Sequence, residues 1–135
     1  MISFIVDLQD KPGELARVTE AIAQKGINIT GFTGATAGGH GAVMLVTNDE
    51  EGTRRALADA GCTVRESELV TASLEHRPGS LAAAARKLAD AGINISGAMP
   101  VGMSEGKVSI AFATDQPARA RELIGSAEPA GVGVG

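Results

Sequence analysis

The chain repeats itself at a spacing of 66 residues. Asp10-Lys11-Pro12-Gly13-Glu14-Leu15-Ala16 is answered by His76-Arg77-Pro78-Gly79-Ser80-Leu81-Ala82, and Gly26-Ile27-Asn28-Ile29-Thr30-Gly31 by Gly92-Ile93-Asn94-Ile95-Ser96-Gly97. Both blocks keep one offset, so no insertion separates them. Each copy of such a repeat is a structural unit with a marginal core of its own. The 135 residues therefore divide into two modules, 1–67 and 68–135. Each needs a partner surface, either the other copy or a second chain.

Periodicity gives the order of elements. Ile2, Phe4, Val6 and Leu8 alternate on one face of a strand, and Asp10-Lys11-Pro12-Gly13 is a turn that opens a helix. Leu15, Val18 and Ile22 form the helical stripe, which stops at Lys25-Gly26. Ile27-Asn28-Ile29-Thr30 starts a second strand, and four glycines between Gly34 and Gly41 suit a hairpin. Val43 to Val46 reads as a third strand buried on both sides. Asn48-Asp49-Glu50-Glu51 caps a second helix with acids in its first turn, where the helix dipole favours them.

The second copy predicts a strand over 69–75, a helix over 79–91, strands over 94–101 and 107–113, and a helix over 116–125. Asp115 is expected to cap that last helix, with Pro117 in its first turn. Cys62 to Glu75 holds no Pro or Gly, so the last strand of one copy runs into the first of the next without a linker. The tail Glu128–Gly135 fits either a thin final strand or a frayed end. The expected fold class is α+β. Two ferredoxin-like βαββαβ modules carry their helices on one face and join their antiparallel sheets edge to edge.

Composition narrows the chemistry. Net charge is −4, there is no Trp or Tyr, and Phe4, Phe32 and Phe112 are the only aromatics. A nucleic-acid partner is therefore not expected. The single Cys62 permits no internal disulfide and fits a reducing compartment. The N-terminus has no basic leader region, and no apolar run approaches the roughly 18–20 residues that cross a bilayer. The expectation is a soluble, cytoplasmic protein that binds neither nucleic acid nor membrane. His40 and His76 lie in different copies, and Cys62 has no second cysteine nearby. No metal site and no cofactor are expected, and Gly34–Gly41 lacks the Gly-Lys-Ser/Thr ending of a phosphate loop.

Two features stand out as binding chemistry. Pro12 has no amide hydrogen and Gly13 no side chain, so the amides of Gly13, Glu14 and Leu15 lie open at a helix start, where carboxylates and phosphates bind. The plainer reading is that Pro and Gly merely punctuate a strand-to-helix turn. Asn28 and Asn94 each sit between isoleucines at a strand start. If the isoleucines face the helices, each amide side chain points toward a neighbouring surface and can pair with a carboxylate or an ammonium. The alternative is that asparagine simply tolerates the turn.

Asp-Lys-Pro-Gly-Glu-Leu-Ala, a helix and then Gly-Ile-Asn-Ile resembles the ACT domain, a small regulatory module of amino-acid metabolism. Both copies match, so the resemblance spans residues 2–127. It implies modules that pair side by side and bind an amino acid or similar effector at the interface. The ligand contacts it implies are Asp10, Lys11, Pro12, Gly13, Glu14, Leu15, Asn28 and Ile29 in the first copy. In the second they are His76, Arg77, Pro78, Gly79, Ser80, Leu81, Asn94 and Ile95.

The copies differ in charge: Asp10 becomes His76 and Glu14 becomes Ser80, while Lys11 and Arg77 stay basic. Either the first loop takes an ammonium and the second a carboxylate, or one copy only dimerises. The expectation is a non-enzymatic homodimer that senses a free amino acid. Acting as the regulatory subunit of a biosynthetic enzyme is one alternative, and a small enzyme using the ferredoxin-like cleft is another.

Overall fold

The computed structural model describes residues 1–125. The chain divides into two compact units, one built on Ile2–Ser67 and the other on Met1 with the residues from Glu68 onward. In the first unit, β1 (Ile2–Gln9), α1 (Glu14–Ala23), β2 (Ile29–Ala37), β3 (His40–Thr47), α2 (Glu50–Asp59) and the start of β4 (Val64–Glu75) follow the expected βαββαβ order. In the second, the rest of β4 leads to α3 (Ser80–Asp90), β5 (Ile95–Ser104), β6 (Lys107–Thr114) and α4 (Pro117–Ile124). As the unbroken stretch without Pro or Gly requires, β4 is a single strand of 12 residues. The tail 128–135 lies outside the described residues.

All the recorded strand pairings are antiparallel. The first unit orders its strands β2-β3-β1-β4 and the second β4-β6-β5. Gly38 and Gly39, both at positive φ, make the two-residue turn between β2 and β3, a conformation whose twist suits a hairpin. Alternation along β1 puts Phe4 and Val6 under the helices, where they meet Val43 and Leu45 of β3, Val18 and Ile22 of α1, and Leu57 of α2. Both faces of β3 are buried, since Met44 and Val46 are also shielded.

The second unit repeats this plan with smaller side chains. Val70 packs with Leu88, Ile93 and Ala120, and a separate group joins Ala72, Ala84 and Phe112.

Two expectations change. Leu15 does not complete the buried stripe of α1: Val18 and Ile22 are fully buried, but Leu15 is 47% exposed. Nor does Asp115 cap α4. Gln116 holds the cap position without a side-chain hydrogen bond, because the Asp115 carboxylate accepts the amide of Asn94 at 2.9 Å.

The displacement of Asp115 comes from a shift in the repeat. β2 and β5 start 66 residues apart, at Ile29 and Ile95, but β3 and β6 start 67 apart, at His40 and Lys107. The extra residue is absorbed where β5 changes register between Pro100 and Gly102.

Candidate functional site

The Pro-Gly turns take nearly the same backbone shape in both units. Gly13 (φ 90°) precedes α1 and Gly79 (φ 89°) precedes α3, each at a left-handed angle, and neither helix start has a side-chain cap. Asp10 and His76 enter these loops through amides that donate to Gly39 and Gly106, the hairpin glycines of their own units. Asp10, Lys11, Pro12, Gly13, His76, Arg77, Pro78 and Gly79 are exposed, and Glu14 and Ser80 are half-buried.

Asn28 and Asn94 are fixed through their backbones. The Asn28 amide donates to Asn48 Oδ1 at 3.0 Å, and its carbonyl accepts the Asn48 amide at 3.1 Å. Asn94 is clasped in the same way by Asp115, at 2.9 Å and 3.2 Å. Gly26 and Gly92, not the asparagines, adopt the positive φ of the turn. Both asparagines are exposed.

Helix geometry separates the loop residues from the strand residues. On α1, positions 15, 19 and 23 lie on one flank, Val18 and Ile22 face the core, and Glu14 and Arg17 lie toward the other flank. The first flank borders an apolar hollow of about 550 Å³ lined by Leu15, Thr19, Ile27, Ile29 and Phe32 among others. Leu15 and Ile29 thus come together there, whereas Asp10–Glu14 and Asn28 stay outside.

In the second unit the other flank is the open one. Arg77, Pro78, Gly79 and Ser80 line a hollow of about 580 Å³, without His76, Leu81, Asn94 or Ile95. Lys87, Glu75, Leu123 and Ile124 also line it. The sequence reading missed these four, although Lys87 follows Ser80 and Ala84 along one helical flank.

The same place in the first unit is occupied by the chain itself. Glu14 Oε2 accepts the amide of Gln9 at 3.4 Å, and the Arg17 guanidinium lies 3.4 Å from the same oxygen. Arg17 Nη1 also donates to the Ala60 carbonyl at 3.4 Å and approaches Cys62 Sγ at 3.7 Å. These bonds sit at the long end of the useful range. The Gln9 amide, helped by the positive charges of Arg17 and Lys11, holds the Glu14 carboxyl below its usual 4.5. Among the described residues no cluster of three or more His, Cys, Asp or Glu could hold a metal ion, and no helix is long and apolar enough to cross a membrane.

The ACT domain family model matches residues 2–61. No curated protein matches the chain. Among solved structures the chain is similar to a protein from Bacteroides thetaiotaomicron at 22% identity, over 90% of this chain and 84% of that one, with a TM-score of 0.74. It is also similar to the regulatory subunit of aspartate kinase from Thermus thermophilus, at 21% identity over 90% and 87% of the two chains, with a TM-score of 0.61. The corresponding subunit from Thermus flavus gives 21% identity over 90% and 89%, with a TM-score of 0.59. At such identities the likeness is one of fold, and that fold is the ferredoxin-like α+β arrangement derived above.

Proposed function

We propose that both units are ACT modules and that the chain is a non-catalytic sensor of a free amino acid. In this reading the loop residues Asp10–Leu15 and His76–Leu81 hold the effector's charged groups at a module interface supplied by a homodimer. Asn28 and Asn94 hydrogen-bond to it. The observation that carries this reading is the backbone clasp on each asparagine, which leaves an exposed amide side chain at the same place in both units. An amide so placed can donate to a carboxylate and accept from an ammonium, the two charged groups of an amino acid.

The ACT match over residues 2–61 supports the substrate class. Fold neighbours that are regulatory subunits of aspartate kinase support a larger enzyme as the partner that reads the signal. Leu15 and Phe32, 47% and 53% exposed beside edge strand β2, suit the side-by-side pairing.

Thermal denaturation against each of the twenty amino acids tests the proposal. An effector present at a hundredfold excess over its dissociation constant adds about 2.7 kcal/mol of stability. Asn28→Ala should weaken that effector at least about tenfold, the loss of one hydrogen bond to a charged group. Absence of any shift across the twenty overturns the sensor reading.

A further inference from the structure

The two units end their sheets differently. β2 ends the strand order of the first unit and β5 that of the second. An edge strand offers unpaired amides and carbonyls to any extended chain, and folds guard such edges with prolines, bulges and charges. β5 is guarded. Pro100 has no amide hydrogen, and the strand shifts register between Ile95 and Gly97 and again between Pro100 and Gly102. Its regular pairing is confined to Gly97–Pro100 and Gly102–Ser104.

β2 lacks these guards over most of its length. It shifts register once, between Ile29 and Gly31, and then pairs regularly with β3 from Gly31 to Ala37. Ile29–Ala37 holds no proline and no charged residue. Phe32 pairs with Leu45, which belongs to the core under the helices, so its half-exposed ring lies on the helix side of the strand. There it lines the hollow beside α1 with Leu15, Ala16, Thr19 and Ala23, and Glu20 is the one charged residue in that lining. A surface poor in charge is thus continuous from the strand to the helix flank.

A second copy of β2 is the occupant that fits this edge. Antiparallel pairing about a two-fold axis sets the strand against itself, and an uncharged strand brings no like charges together there. The same strand gives a foreign chain no charge to read. β5 of another copy offers no regular stretch as long as Gly31–Ala37. A contact of β2 with β2 is isologous and closes at two chains.

We propose that two copies of the chain pair through β2 alone, antiparallel, with both Phe32 rings and both apolar hollows meeting on the helix side of the joined strands. This rests on the homodimer proposed above and assigns it to one strand of one unit.

Sedimentation equilibrium of the full chain without added amino acid tests the assignment. The wild type should sediment at twice 13.6 kDa. Phe32→Lys and Ala35→Lys, both at exposed positions of β2, should each weaken self-association at least about thirtyfold. Leu81→Lys and Met103→Lys, at exposed positions of the second unit, should leave it unchanged. Amides of β2 should gain protection from hydrogen exchange as the concentration rises through the dissociation constant, and those of β5 should not. The proposal is overturned by a monomer at every concentration, by a dimer that survives both β2 changes in a folded chain, or by protection that appears on β5. A dimer held by another surface leaves the amino-acid sensor standing, and a thermal screen without a shift leaves this dimer standing, so the two readings fall separately.

Discussion

Glu14 and its counterpart Ser80 show how much one position decides when the backbone around it is held constant. The carboxyl of Glu14 is held below its usual 4.5, first by the Gln9 amide and then by Arg17 and Lys11. As pH falls, the unfolded chain takes up a proton there before the folded one does. The stabilisation is therefore complete above pH 4.5 and is lost as pH drops through the lower folded value. The amide proton of Gln9, which donates to this carboxylate, should report the event. Its chemical shift should move with a midpoint under 4.5 in the native chain and stay flat over the same range in Glu14→Gln. A midpoint at or above 4.5 means that the contact does not persist in solution.

At the scale of elements, the helices begin where a glycine allows it. Gly13 and Gly79 hold φ near 90°, and a β-carbon built on either would meet nothing within 4 Å. Replacement by alanine therefore costs backbone strain alone, about 1–2 kcal/mol. Gly13→Ala and Gly79→Ala should each lower the urea midpoint by a corresponding amount with an unchanged slope. A steeper loss would mean that the side chain collides with something the fold places there.

The repeat made these element starts legible in advance, and the unbroken stretch from Cys62 to Glu75 foretold the long β4. Other features were hidden for physical reasons. The step from 66 to 67 residues sits in a strand bulge that leaves no trace in the helical or two-residue period, so the sequence pattern points to Asp115 as a cap although its carboxylate serves Asn94. Leu15 lies within the right spacing for a buried stripe, but at the first turn of α1 it lies over the apolar hollow instead of the core. The residues around the two hollows were individually visible. Their grouping was not, because it depends on which flank of α1 or α3 each one occupies.

For the whole molecule, duplication of a fold has not given two equal cores. The first unit joins Phe4, Val6, Val18, Ile22, Ile27, Val43, Leu45 and Leu57 in one buried cluster. In the second unit Val70, Leu88, Ile93 and Ala120 form one buried group and Ala72, Ala84 and Phe112 another, so alanine takes a larger share of each. Each alanine buries far less apolar area than valine or leucine, at about 25 cal/mol per Å² removed from water. These alanines thus weaken the unit that carries them. Local opening follows the density of buried apolar contacts, so hydrogen exchange should divide the chain. Amides of Leu88 in α3 and Phe112 in β6 should exchange at lower opening free energy than those of Ile22 in α1 and Leu45 in β3. Equal protection in both units without ligand would mean that they open as one cooperative body, and the difference between their cores would then have no consequence for stability.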